Sequence, residues 1–219
     1  MSPRVKVCCI STEAEVRTAV DAGADLLGFV APPLGGLGVI PIERIARLVR
    51  LVPPGVTSVL LTGLTEADAI IDQVAEVRPG ALQLVRSTTA ATRRVLRDHF
   101  PCLRLLPVVH VHGPESVDAA RVAAEVADGL VLDSAVLDGP TEQLGATGRT
   151  HDWSVSAAIV QAVDVPVFLA GGLSAANVTD ARRTVSPHGL DLCSSVRTDD
   201  VLDPAKVRAF LAAAREVPA

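Results

Sequence analysis

Residues 5–30 read VKVCCISTEAEVRTAVDAGADLLGFV, and the fold turns on how this stretch divides. Val5 to Ile10 and Asp25 to Val30 are short apolar runs rich in the branched side chains that suit a pleated surface. Between them Thr12 opens a helix, Glu15 follows at capping-box spacing, and Gly23 closes it. Strand, helix and strand in this order form a unit whose two strands pair in parallel through a right-handed crossover.

The unit recurs to the end of the chain. Strands are expected at Val56–Leu61, Ala81–Val85, Leu103–Val111, Gly129–Leu132, Val167–Ala170 and Leu190–Cys193. Helices are expected at Ile42–Leu51, Thr65–Val77, Thr89–Phe100, Glu115–Val126, Val155–Val163, Ala175–Val185 and from Asp203-Pro204 to Arg215. Eight units in 219 residues, roughly 27 residues each, suit a compact (β/α)8 TIM barrel, one domain over residues 1–219. The competing fold, an open doubly wound sheet, usually carries a glycine fingerprint after its first strand. Cys8-Cys9-Ile10-Ser11 has no glycine, so the barrel is the better reading.

Composition narrows the function. Apolar residues make up 49% of the chain, enough for a large core, and the net charge of −5 argues against nucleic-acid or anionic-membrane surfaces. No apolar run approaches the roughly 18–20 residues of a membrane span, and Met1-Ser2-Pro3-Arg4 lacks a signal-peptide pattern. Four cysteines without CxxC spacing suit reduced thiols better than a disulfide framework or zinc site. A cytoplasmic protein is expected, as a monomer or a homodimer.

In such barrels the chemistry sits at the carboxyl ends of the strands. Alternation along the first strand puts Lys6 and Cys8 on one face, with Val7 and Cys9 on the other. An ammonium beside a thiol can lower its pKa, although from these residues alone a buried structural cysteine is the preferred reading. Asp133 closes the sixth strand, where a carboxylate either caps a loop or does chemistry. Cys8 and Asp133 would make a base and an acid over one pocket. Gly171-Gly172 and Ser194-Ser195 follow the last two strands, where many barrels bind phosphate. The longest loop, Ser134 to Asp152, contains Gly145 and Gly148, which permit close backbone approach. His110 and His112 could ligate metal, but no carboxylate or histidine cluster completes a set, so polar lining is preferred and neither metal nor cofactor is expected.

These motifs, in this order, resemble one family. Val5-Lys6-Val7-Cys8 is similar to an opening K-[IV]-C-G, and residues 19–30 to AxxAGADxxGFV. Leu132-Asp133-Ser134 matches LLD-[TS], residues 145–153 resemble GGTG-x-x-FDW, residues 169–178 LAGGLxxxNV, and residues 189–194 GVDVSS. The family is phosphoribosylanthranilate isomerase, the barrel enzyme of tryptophan biosynthesis. The resemblance implies an Amadori rearrangement of a phosphorylated sugar substrate. Asp133 would be the general acid and Cys8 the general base, and Gly148, Gly171, Gly172, Ser194 and Ser195 would hold the phosphate.

The departures lie at the aglycone end. Leu34, Gly35 and Leu37 stand where the family has the lysine, serine and carboxylate-gripping arginine of P-K-S-x-R. Lys6, Gln83, Arg86 and His110 are the remaining candidates for aglycone contacts, and Arg86 could be the substitute cation. Cys9 stands for the glycine after the first cysteine, and the SSGVE end reads Ser194-Ser195-Val196-Arg197, so a phosphate-loop glycine is gone. Three functions stay open: isomerase on phosphoribosylanthranilate, isomerase on another N-phosphoribosyl compound, and a non-catalytic phosphosugar-binding barrel.

Overall fold

A computed structural model describes residues 2–134 and 151–216. Gly145 and Gly148, expected to matter in the long loop, lie outside the described residues. Eight parallel strands close into a barrel in sequence order: β1 (Arg4–Val7), β2 (Leu26–Val30), β3 (Thr57–Thr62), β4 (Ala81–Leu84), β5 (Arg104–His110), β6 (Leu130–Asp133), β7 (Val167–Leu169) and β8 (Gly189–Leu192). The helices between and after them are α1 (Glu13–Asp21), α2 (Ile42–Val49), α3 (Ala67–Val77), α4 (Ala90–His99), α5 (Ser116–Ala124), α6 (Trp153–Ala162), α7 (Val178–Val185) and α8 (Pro204–Arg215). The β1–β8 ladder closes the ring, with Lys6 opposite Asp191 and Val7 opposite Leu192. Among the described residues, no helix is long and apolar enough to cross a membrane.

Period-2 alternation divides the core in two. Inward residues such as Leu26, Val30, Val59, Leu61, Leu106, Val131 and Phe168 fill the barrel. Outward ones such as Val5, Val7, Leu27, Phe29, Leu60 and Leu105 pack beneath the helices. Both layers are buried because a parallel sheet covered by helices has no solvent face.

Helix starts follow local chemistry. Thr12 accepts a hydrogen bond from the Glu15 backbone N–H at 3.1 Å. Glu15 does not complete the box on Thr12 but reaches Ser11, accepting from its N–H at 2.7 Å. Asp152 caps α6 through Ser154, so that helix begins two residues earlier than its apolar pattern suggested. Asp203 caps α8 ahead of Pro204, accepting from Ala205 and Lys206.

Two local features depart from expectation. The first strand ends at Val7 instead of Ile10, because Cys9 adopts a left-handed φ of 64°. That reversal breaks the alternation, and Cys9 faces the barrel interior alongside Cys8 instead of pointing outward with Val7. After β8 the chain also forms a small antiparallel hairpin, β9 (Arg197–Thr198) with β10 (Val201–Leu202), which no hydrophobic run announced.

Closure depends on a glycine at the first position of β8. A Cβ at Gly189 would collide with the Phe168 ring and come within 3.0 Å of the Arg4 carbonyl oxygen. Gly189→Ala is expected to destabilise the barrel by about 1–3 kcal/mol, as overpacking does. Urea unfolding of the variant beside the parent chain measures it.

Candidate active site

A cavity of about 550 Å³ opens at the carboxyl ends of the strands, a size suited to a small-molecule ligand. Cys8, Gln83, Asp133, Gly171, Gly172, Ser194 and Ser195 all line it. The expected acid and base and, among the described residues, the expected phosphate positions thus converge on one space.

The floor is built by a buried ion pair. Lys6 has no exposed surface, and its Nζ donates to Asp191 Oδ2 at 2.7 Å and to Cys8 Sγ at 3.4 Å. Burial opposes a charged lysine, but Asp191 and Cys8 outweigh it and hold the Lys6 pKa above its ordinary value. The Cys8 thiol is pulled below its ordinary value, first by a hydrogen bond with Cys9 and then, against the cost of burial, by the Lys6 ammonium. These contacts favour the thiolate form of Cys8 relative to an ordinary thiol. Gly28 on β2 provides its room, since a Cβ there would stand 2.8 Å from Cys8 Sγ.

Asp133 sits on the rim of the cavity at the end of β6, and the Ser134 N–H donates to its Oδ1 at 2.7 Å. Beyond β7, Gly171 and Gly172 have φ values of 84° and 63°, a conformation that favours glycine. Any Cβ at Gly171 would collide with Ser134. Asn177 pins this turn, donating to the Gly172 carbonyl at 2.9 Å and accepting from the Ser174 N–H at 2.8 Å. Ser194 and Ser195 lie in the short 3-10 turn Ser194–Val196 that follows β8.

The four expected aglycone contacts are placed differently from one another. Gln83 lines the cavity, and its Oε1 is buried with no hydrogen-bond partner among the described residues. Lys6 lies beneath Cys8 in the floor, where Asp191 takes its charge. His110 donates from Nε2 to the Val85 carbonyl at 3.1 Å, its Nδ1 is buried without a hydrogen-bond partner among the described residues, and it does not line the cavity. Arg86 is half-buried next to Leu34: a Cβ at Gly63 would meet Leu34 Cδ2 at 2.7 Å and Arg86 Nε at 3.6 Å.

Three participants went unnoticed in the sequence. Asp191 was quoted only as part of a strand, yet an aspartate inside an apolar strand, paired in register with Lys6, is a signal that was available. Arg197 and Glu15 form a second buried ion pair at 2.6 Å. Arg197 also donates to the Cys9 carbonyl at 2.7 Å and the Cys8 carbonyl at 3.3 Å, holding the left-handed turn that follows the base.

A cavity at the mouth of a (β/α)8 barrel, lined by a thiol, a carboxyl group and two glycine- and serine-bearing turns, is the class of site that this geometry defines. A family model for N-(5'-phosphoribosyl)anthranilate (PRA) isomerase matches residues 5–213. The chain belongs to that family. It is 39% identical to the N-(5'-phosphoribosyl)anthranilate isomerase of Halobacterium salinarum, over 98% of this chain and 97% of the relative. It is likewise 39% identical to that of Haloferax volcanii, over 97% and 93%. Among solved structures it superposes on the Pyrococcus furiosus isomerase with a TM-score of 0.82 at 22% identity, covering 98% and 100% of the two chains, which bears on the fold. It also superposes, with a TM-score of 0.77 at 25% identity over 97% and 98%, on a phosphoribosyl anthranilate isomerase in complex with reduced 1-(o-carboxyphenylamino)-1-deoxyribulose 5-phosphate.

Lys6 links stability to reactivity. Lys6→Met leaves Asp191 buried and unpaired and is expected to cost about 3–5 kcal/mol, of which Lys6→Met with Asp191→Asn recovers a large part. Alkylation of Cys8 by iodoacetamide, followed by peptide mass, is expected to accelerate as pH rises through a midpoint below the ordinary thiol range. Removing the neighbouring positive charge in either variant moves that midpoint upward.

Proposed function

We propose that the chain isomerises an N-(5'-phosphoribosyl) arylamine to the corresponding 1-amino-1-deoxyribulose 5-phosphate, with Cys8 as general base and Asp133 as general acid. The observation that carries this reading is the convergence of the two groups on one cavity beside the Gly171-Gly172 and Ser194-Ser195 turns.

The chemistry follows from the groups present. The protonated Asp133 carboxyl gives its proton to the ring oxygen, the C1–O bond breaks, and the nitrogen lone pair forms the Schiff base. The Cys8 thiolate removes the proton from the second carbon of the sugar, giving an enol-amine that relaxes to the ketone. The sugar's first carbon is reduced as its second is oxidised, so the step needs no external redox partner. Backbone N–H groups around Gly171 and Gly172, with the Ser194 and Ser195 hydroxyls, would anchor the phosphate far from the reacting carbons. The unpartnered Gln83 Oε1 and Asp191 Oδ1 are buried acceptors for the sugar hydroxyls, since such atoms are normally satisfied.

The family points to anthranilate as the aglycone, with Arg86 beside Leu34 as the cation for its carboxylate. A second reading, an aglycone without a carboxylate, is favoured by the residues that line this end of the cavity: Val30, Leu34, Gly35, Gly36, Leu37 and Val85 carry no charge.

Cys8→Ala and Asp133→Asn are each expected to keep the fold and lower turnover by about 10²–10⁴-fold, the usual yield of a general acid or base. Full activity in both would overturn the assignment. Comparing kcat/KM for phosphoribosylanthranilate and phosphoribosylaniline separates the aglycones. If Arg86 grips the carboxylate, the anthranilate is preferred and Arg86→Met erases roughly 10–100-fold of that preference, the worth of a charged hydrogen bond. An equal rate for the two compounds supports the neutral aglycone.

A further inference from the structure

Cys9 and Cys193 occupy positions where the family pattern has a glycine and a serine, and the fold brings them together. The Cys193 thiol donates to Cys9 Sγ at 2.7 Å across 184 residues of sequence. They sit just past the ends of β1 and β8, strands hydrogen-bonded to each other up to Val7 and Leu192. Both line the cavity, Cys193 half-buried and Cys9 buried. The fourth cysteine, Cys102, is exposed between α4 and β5, at the opposite end of the barrel.

The Cys9 backbone has little freedom to move away. Its carbonyl accepts from Arg197, and Gly38 of the loop after β2 lies so close that a Cβ there would stand 2.6 Å from Cys9 Cβ. The sulfurs are held in contact by strand closure on one side and a packed loop on the other. Joining them at the roughly 2.0 Å of a disulfide shortens their separation by well under an ångström.

We propose that Cys9 and Cys193 form a reversible oxidative modification site, a disulfide made by a hydroperoxide and undone by a thiol reductant, that slows catalysis at the barrel mouth. Cys193, the more open sulfur, attacks the peroxide oxygen as a thiolate. The O–O bond breaks, the leaving oxygen departs as water after protonation, and a sulfenic acid remains. The Cys9 sulfur then attacks that sulfur, the S–O bond breaks, and hydroxide leaves with the Cys9 proton as a second water. Two thiols lose two electrons in all, and one hydrogen peroxide becomes two waters.

The consequence for catalysis passes through Cys8. In the reduced state the hydrogen bond with Cys9 is the largest influence keeping the Cys8 thiol acidic, ahead of Lys6, while Asp191 and burial oppose it. A disulfide sulfur has no proton to offer, so oxidation removes that hydrogen bond and moves the Cys8 thiol back up toward its ordinary value. This effect on rate rests on Cys8 being the base, whereas formation of the disulfide does not.

The full chain is treated with hydrogen peroxide, blocked with iodoacetamide and mapped as unreduced peptides by mass spectrometry. A Cys9–Cys193 cross-link is expected in the parent chain and in Cys8→Ala, removed by dithiothreitol and absent from Cys193→Ser. A cross-link through Cys8 or Cys102 instead, or oxidation of Cys193 to sulfinic acid without any link, overturns the proposal. Mapping needs no substrate, so it stands or falls apart from the catalytic assignment. In turnover assays peroxide is expected to slow the parent chain several-fold, with dithiothreitol restoring the rate. Cys193→Ser, carrying the residue of the family pattern, is expected to lose that reversible component. Reversible slowing that persists unchanged in Cys193→Ser also overturns it.

Discussion

A lysine with no access to water stands at the centre of this barrel, and its charge organises what surrounds it. Such a charge is tolerable only with a close partner, and Asp191 provides one at 2.7 Å from the neighbouring strand. The pair is set by the β1–β8 register instead of by flexible side chains, so closing the barrel and assembling the ion pair are one event. Cys8, two positions along the same inward face, receives the ammonium at 3.4 Å. After the hydrogen bond with Cys9, that ammonium also helps to pull the Cys8 thiol below its ordinary value, while Asp191 opposes it.

Above this floor the mouth is held by a second layer of contacts. Glu15 at the start of α1 pairs with Arg197, which reaches over to the carbonyls of Cys8 and Cys9. The residue after the base is thereby kept in a backbone conformation that ordinarily disfavours a side chain. Asn177 does the same service for the Gly171-Gly172 turn. The reacting groups are thus anchored by strands and buried pairs, whereas Leu34 to Leu37 belong to a loop after β2. This division explains how the loop after β2 can depart from the family pattern while Cys8 and Asp133 stay in place.

Much of this was legible before any coordinates. Alternation along β1 put Lys6 and Cys8 on one face, and the rule that barrel chemistry gathers at strand ends selected Asp133, Gly171 and Ser194. What stayed hidden depended on contacts distant in sequence. The inward turn of Cys9 comes from a left-handed residue that no glycine signalled. The Glu15–Arg197 pair spans 182 residues and joins a residue at capping-box spacing to one in the turn after the last strand, which no local pattern links. His110 was a reasonable pocket residue until the Val85 carbonyl took its Nε2–H. Lys6 was read as a ligand contact because nothing in a strand pattern says which lysine faces an aspartate across a closed ladder.

The central claim is that one thiol and one carboxyl group act on a sugar whose phosphate is anchored beside them. The most direct measurement is a crystal structure of this chain with reduced 1-(o-carboxyphenylamino)-1-deoxyribulose 5-phosphate. The account expects the phosphate on the Gly171-Gly172 and Ser194-Ser195 turns, the second sugar carbon within reach of Cys8 Sγ, and Asp133 on the oxygen that the ring would close through. A phosphate bound elsewhere, or a sugar that leaves Cys8 and Asp133 untouched, would contradict it.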